Sequence, residues 1–418
     1  MVGSIWLTGD QAITTADLNA DGRPDLLAFS KDPGEVYASL NLGRGRFRAP
    51  LVFPAGVSGV LASGDVNGDG RVDALAIGQL AGTFTPGIWV AAHLNRGRGA
   101  FRPPIVSTGI EGQATGFGVS SVAIADVNHD GKLDIVGGVD FIFPQAAHLF
   151  VLLGNGDGSF GPATMYGTGD FHAATQSMAV GDVNGDGNLD IVGHTWLNIA
   201  TLLGNGDGTF GPPLTSATGG RDQPVTEIAD ITGDGVPDVV SAVVTGTPDF
   251  AESKVMVHKG LGNGLFLTVQ TTIIESNVLT GDSADLNGDG RPDVEVAGAG
   301  GFDSGVSGTF VFLTALHQLT APVYYPEVGG PLGDVNNDGT PDLLVQTSKC
   351  AVAMLNAGDG TFDTVVCLGI EGRDDSSGAG LSSAGAVADF TGDARNDVLA
   401  RTQYGNRLPA LFLYATSR

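Results

Sequence analysis

The feature that most constrains this chain is a nine-residue phrase, D-x-(N/T)-x-D-G-x-x-D, which occurs eight times, beginning at residues 17, 65, 126, 182, 230, 285, 334 and 389. Successive starts lie 48 to 61 residues apart. Self-similarity at that period marks a repeat architecture, in which each repeat is one supersecondary unit that buries its apolar faces against its neighbours. The last copy departs at position 6, where Ala394 stands in place of glycine.

Short apolar runs flank every phrase. In the third copy Ser121–Ala125 leads in and Ile135–Val139 leads out, followed by Leu149–Leu153, the turn Gly154-Asn155-Gly156-Asp157-Gly158, and a fourth run from Phe160. These runs are short, rich in β-branched residues and bounded by turn residues, so they predict strands. Related turns stand at 204–208, 41–45, 95–99, 260–264 and 356–360. Each unit therefore reads as a four-stranded antiparallel meander, A-B-C-D, with no helical period. Four-stranded units repeated around an axis make a β-propeller. The expected fold is all-β, a single eight-bladed β-propeller spanning residues 1–418. The eighth unit lacks a fourth strand, and an orphan strand precedes the first unit. Residues 4–8 are accordingly expected to complete the last blade, which would remove an open sheet edge. The residue before each phrase is always small (Ala16, Gly64, Ala125, Gly181, Ala229, Ala284, Gly333, Ala388), as crowding near an axis requires.

The phrase spaces oxygen donors as a calcium loop needs them. Calcium takes six to eight oxygens. Positions 1, 3, 5 and 9 offer side-chain oxygens and position 7 its backbone carbonyl, while glycine at position 6 permits a left-handed backbone. The candidate ligands in the first three copies are Asp17, Asn19, Asp21, Arg23 and Asp25; Asp65, Asn67, Asp69, Arg71 and Asp73; and Asp126, Asn128, Asp130, Lys132 and Asp134. The next three supply Asp182, Asn184, Asp186, Asn188 and Asp190; Asp230, Thr232, Asp234, Val236 and Asp238; and Asp285, Asn287, Asp289, Arg291 and Asp293. The last two supply Asp334, Asn336, Asp338, Thr340 and Asp342, then Asp389, Thr391, Asp393, Arg395 and Asp397. Ala394 makes the eighth site the weakest of the set. All donors are hard oxygens, which argues against zinc or copper. The alternative is eight Asx-rich turns without metal, in which converging carboxylates would repel one another. The formal charge of −26 follows the same pattern, since 24 of the 46 acidic residues lie in the phrases and eight divalent ions would leave −10. Such acidity sets aside nucleic acid as a partner, and no apolar stretch is long enough for a membrane-spanning helix.

Phrases such as Asp182–Asp190, followed by Leu202-Leu203-Gly204-Asn205-Gly206-Asp207-Gly208-Thr209-Phe210, resemble the FG-GAP/VCBS repeats, of which the integrin α-chain propellers are the best-known members. The resemblance covers essentially the whole chain. It implies a calcium-loaded propeller, usually extracellular. Integrin propellers have seven blades, whereas eight units are counted here. Eight-bladed calcium propellers also occur among rhamnogalacturonan lyases, so the resemblance alone does not fix function.

In such a meander the A–B and C–D turns share one face, and the B–C and D–A connections share the other. The second face is where the units differ. Its loops carry Phe84, Phe117, Phe141, Phe143, Phe171, Phe250 and Phe302, with Trp89 and Trp196 nearby. Aromatics beside Asp, Gln and Asn suit sugar recognition, although local packing is the blander account of any one of them. Two departures break the repeat. Two residues after the last Asp, seven units have Leu or Val and the sixth has Glu295; on strand A, three residues before the phrase, the fifth and sixth units carry Glu227 and Asp282. These three carboxylates are the candidate catalytic acids; they could equally hold a cation or line a wet channel. The other departure is basic: Arg44, Arg46, Arg48, Arg96, Arg98 and Arg102 surround the C–D turns of the first two units, with Arg23 and Arg71 in their loops. They either offset nearby Asp charge or dock an anionic partner. No Ser–His–Asp order, phosphate loop or zinc spacing is present.

The expected function is a monomeric, secreted or cell-surface binding module for a glycan or protein. A polysaccharide lyase or hydrolase, or a scaffold without a small ligand, are the alternatives. An extracellular setting, with a leader already removed, suits loops of weak calcium affinity. Cys350 and Cys367 flank the turn at 356–360 and either face each other in a cross-strand disulfide or are two buried thiols.

Overall fold

In the computed structural model, the structure describes all residues except 1–2, 7–10, 31–33, 43–47, 81–86, 112–117, 141–146, 168–177, 195–197, 219–224, 246–250, 301–304, 327, 335–337, 347–350, 369–379, 389–396, 404–409 and 415–418. The described strands form eight four-stranded antiparallel sheets and one two-stranded hairpin, with no helix among the described residues. Unit 3 is representative: Gly118–Ala125, Asp134–Asp140, Ala147–Leu152 and Thr164–Gly167 pair in that order. Its fourth strand starts later than the sequence suggests, because Phe160 makes only an isolated bridge to Gly154 before the pairing resumes.

The A strands, Gln11–Ala16, Val57–Gly64, Gly118–Ala125, Met178–Gly181, Val225–Ala229, Asn277–Ala284, Val328–Gly333 and Gly380–Ala388, lie each beside the next, and Gly380–Ala388 also lies beside Gln11–Ala16. The chain start joins the last sheet: Gly3–Trp6 pairs antiparallel with Ala410–Tyr414, Gly3 opposite Leu413 and Trp6 opposite Ala410. That is the orphan strand expected at residues 4–8, displaced by one residue at its start.

The core lies between sheets, not within them. Side chains alternate across a strand, so each B strand feeds two cores. In unit 2, Ala74 and Ala76 meet Leu27 and Phe29 of unit 1, while Leu75 and Ile77 meet Ile135 and Phe150 of unit 3. The run from Asp73 to Gly78 is buried throughout, which is why the B strands read as continuous apolar stretches and not as an alternation. Each fully buried Leu, Ile or Phe contributes about 1.5–3 kcal/mol through removal from water.

Three repeated contacts tie neighbouring units at the C–D turns. The backbone N–H of the turn phenylalanine donates to a hydroxyl on the preceding unit's outer strand: Phe160 to Ser107 Oγ at 3.0 Å, Phe210 to Tyr166 OH at 3.2 Å, Phe266 to Ser216 Oγ at 2.9 Å and Phe362 to Tyr325 OH at 3.0 Å. Asn95 and Asn356 donate to the loop carbonyls of Leu18 and Leu286 at 3.0 and 2.7 Å. The last turn glycine seats on a leucine of the preceding unit: a Cβ on Gly208 would lie 2.7 Å from Leu153 Cδ2, and one on Gly360 2.3 Å from Leu313 Cδ2. Both glycines have φ near +80°, so the position excludes side chains on conformational and steric grounds.

Unit 6 departs from the pattern. Its C–D connection is the hairpin Thr314–Ala315 and Gln318–Leu319, whose central Leu316 and His317 both have positive φ. It folds back on unit 5: Gln270 brackets Leu319 through both its amide atoms at 2.7 and 2.9 Å, and His317 Nδ1 bonds the Thr232 carbonyl. In unit 7 the register shifts between Leu355 and Asn356, and Cys367 lies opposite Val352; Cys350, its expected partner, lies outside the described residues.

Candidate metal loops and the acidic trio

Each of the first seven loops is organised around its position-1 carboxylate. Asp17 Oδ1 accepts from the N–H of Asp21 at 3.1 Å and Oδ2 from that of Gly22 at 2.7 Å. The same pair of bonds recurs at Asp65, Asp126, Asp182, Asp230, Asp285 and Asp334. Position 5 accepts from the N–H at position 7, as Asp21 does from Arg23 at 3.0 Å. Position 6 is in the left-handed region wherever it is described, from Gly22 at +79° to Gly339 at +92°.

Position 9 has a second role. Asp25, Asp73, Asp134, Asp190, Asp238, Asp293 and Asp342 are each 0% exposed. One carboxylate oxygen accepts from the loop backbone, at Leu18, Val66, Val127, Val183, Thr232 and Leu286 for the first six. The other accepts from the C–D turn of the same unit, at Asn41, Asn95, Gly154, Gly204, Gly260, Thr314 and Asn356, at 2.6–2.9 Å. This aspartate fastens the two turns of a unit together. Burial pushes its acid up, to about 6 in Asp25 and Asp73; the backbone bonds pull the other way, and the loop's other two aspartates add to the rise.

Among the described residues no three His, Cys, Asp or Glu side chains close into a ready-made metal group. The carboxylates are turned onto backbone N–H groups. The donor set nonetheless fits a hard cation. Oxygens that accept a single bond, such as Asp17 Oδ2 and both oxygens of Asp25, keep a lone pair, and three acids converge with little compensating charge. The cations at hand pair with position 5 at the exposed rim: Arg23 with Asp21 and Arg71 with Asp69 at 2.8 Å, Lys132 with Asp130 at 3.0 Å, Lys259 with Asp234 at 2.7 Å. Such exposed pairs contribute little, and they leave position 9 uncompensated. Asn336 and most of the eighth loop, Ala394 included, lie outside the described residues.

The three unusual acids are neighbours. Asp282 on strand A of unit 6 is directly opposite Glu295 on strand B. Burial first and Asp282 second push Glu295 well above the carboxylate range. Burial and Asp282 also raise Glu227, against a bond from Ser283. Glu295 is 1% exposed and its Oε1 has no partner. It replaces the aliphatic residue that the other units place at this position. The three are brought together, with Glu295 buried and Glu227 and Asp282 half-buried beside it.

Of the aromatics assigned to the variable loops, Trp89 belongs to a C strand and is buried at 4% exposure against unit 1. The seven phenylalanines and Trp196 lie outside the described residues. Among the described residues three histidines are buried: His93 and His194 with no hydrogen-bond partner at either ring nitrogen, and His258 between Ser241 Oγ and Thr268 Oγ1 at 2.8 and 2.9 Å.

A family model described as the FG-GAP-like repeat matches residues 17–76, 137–193 and 334–400. No curated protein sequence matches the chain. Among solved structures, an Agrocybe aegerita lectin that recognises non-reducing terminal N-acetylglucosamine is similar at 24% identity, over 86% of this chain and 94% of the lectin, with a TM-score of 0.50. The V. cholerae biofilm matrix protein Bap1 is similar at 13% identity, over 99% of this chain and 88% of that one, with a TM-score of 0.48.

Proposed function

We propose that this chain, a member of the FG-GAP repeat family, is a calcium-stabilised binding module that presents carbohydrate-binding loops on the face opposite its aspartate turns. One observation carries the reading: the repeated polar residues, traced to their partners, hold the scaffold. Position 1 organises its own loop, position 9 fastens loop to turn, and the turn phenylalanines and asparagines reach the preceding unit. What the repeat does not use is the set of connections that vary between units, and binding residues concentrate on variable loops held by a rigid frame. The lectin's likeness in fold supports a glycan as the first ligand class to examine. An eight-bladed ring is the architecture proposed, supported by the run of neighbouring A strands and by the pairing of the first strand with the last sheet.

Calcium would be held by positions 1, 3, 5 and 9 and the position-7 carbonyl. It would supply the positive charge that the buried position-9 carboxylates lack. The setting proposed is extracellular, where such loops fill. A glycan array including N-acetylglucosamine-terminated structures, probed with and without a chelator, tests the reading. Binding to a defined glycan set, with a chelator lowering the melting temperature as ligand linkage requires, is the expected result. Release of an unsaturated or reducing-end product from any bound polysaccharide would overturn it in favour of an enzyme, and an empty array with capture of protein alone would remove the glycan.

A further inference from the structure

The arginines of units 1 and 2 divide into two groups once their partners are traced. Arg23 and Arg71 belong to the aspartate loops and pair with Asp21 and Asp69. Arg48, Arg96, Arg98 and Arg102 are exposed, and among the described residues none of them pairs with an acid. Offsetting loop charge therefore accounts for the first group and leaves the second without a use. Arg44 and Arg46 lie outside the described residues.

The second group sits at positions where other units use different chemistry. Asp157, Asp207 and Asp359 occupy the turn tip in units 3, 4 and 7. Each caps its turn, accepting from the N–H and the hydroxyl of Ser159, Thr209 and Thr361 at 2.5–3.0 Å. Unit 2 has Arg98 at that tip, with φ +59°. An arginine cannot accept those bonds, and the left-handed backbone disfavours its side chain. The departure thus works against the fold at that turn, and residues that break a local rule without a structural return are candidates for function. One register position recurs across both units. Arg48 donates its N–H to Leu40 and Arg102 to Leu94, each at 2.8 Å, where units 3 and 4 have Gly161 and Gly211 bonding Leu153 and Leu203 at 2.8 Å. The two turns adjoin, since a Cβ on Gly99 would lie 2.6 Å from Leu40 Cδ2.

We propose that Arg48, Arg96, Arg98 and Arg102 form an anion-binding surface on the turn face, and that its ligand is an acidic polysaccharide. Guanidinium groups match carboxylate or sulfate geometry with two parallel bonds. The cations recur at equivalent positions of adjacent units, which fits a ligand whose own charges recur along a chain. The chain as a whole carries a formal charge of −26 and repels polyanions, so an anionic chain is directed to this patch. The surface is separate from the variable-loop face, and its success or failure leaves the reading of that face untouched.

The test uses polygalacturonate fragments, a neutral dextran of similar length and poly-glutamate, with affinity measured by calorimetry at low and raised ionic strength. Wild type should bind polygalacturonate, lose affinity with salt and ignore dextran. Arg98→Asp installs the residue of units 3, 4 and 7, and Arg102→Gly that of units 3 and 4, so the double variant should melt no lower than wild type. Its affinity should fall at least tenfold. Absence of wild-type binding, equal binding of poly-glutamate, or a double variant within twofold of wild type would each overturn the proposal.

Discussion

Replacing Asp134 by asparagine isolates the fastening role of position 9. Asp134 is 0% exposed; its Oδ2 accepts from Val127 at 3.0 Å and its Oδ1 from Gly154 at 2.8 Å. Asparagine keeps the volume and one acceptor, and turns the other atom into an N–H donor facing an N–H donor. A hydrogen bond to a charged group is worth about 1.5–3 kcal/mol, and a buried unsatisfied group costs about 1–3 kcal/mol. Against this stands relief from holding a carboxylate that burial pushes above its ordinary range. The two opposing effects leave a loss of about 2–3 kcal/mol, built on the same charged-bond and unsatisfied-group magnitudes. Guanidinium unfolding followed by circular dichroism in the presence of a chelator measures it, with the midpoint shifting and the slope unchanged. A metal-free variant within about 0.5 kcal/mol of wild type, at the floor of a typical net hydrogen bond, would refute the fastening role. The same comparison with calcium separates the two duties of the residue. If Asp134 also ligates, calcium stabilises the variant less than wild type; if it only fastens, the calcium increment is equal in both.

Three further outcomes follow from named contacts. Glu295→Leu restores the aliphatic residue of the other units and removes a buried, unpartnered Oε1, so it should stabilise by about 1–3 kcal/mol; a lowered thermal midpoint would contradict the packing described. Burial holds His194 neutral, its acid lowered to about 3, so the stability tied to it is complete above the unfolded value near 6.5 and lost as pH falls below that. His194→Leu should therefore narrow the loss of stability between about pH 7 and pH 5, a window that spans the unfolded histidine value, and parallel urea titrations of variant and wild type would contradict it. Deleting residues 1–7 removes the partner of the edge strand Ala410–Tyr414, whose sequence is apolar; light scattering should report association, and a monomeric, equally stable product would count against that pairing.

The phrase made much of the architecture legible, because its spacing locates both strands that flank it and, by subtraction, the strand missing at the end and supplied at the start. Contacts whose donor is a backbone N–H left no trace in side-chain patterns. Asp134 and Asp190 have the composition of metal ligands, and their bonds to Gly154 and Gly204 appear only once the two turns are side by side. The unit 6 hairpin was hidden for a related reason: Leu316 and His317 carry no Asn-Gly signal for a two-residue turn, and what holds it is tertiary, from Gln270 and the Thr232 carbonyl. In the sequence Trp89 stands beside the loop aromatics because the strand containing it starts only at Gly87. The departures from the repeat then divide by cost. Glu295 breaks the pattern inside a core, where only removing it tests whether it does more than weaken the packing. Arg98 breaks it at the surface, at a left-handed backbone position, where its side chain is exposed and pairs with no acid among the described residues. A repeat protein of this kind separates the two cases unusually well, since the neighbouring units state what each position holds when it has nothing else to do.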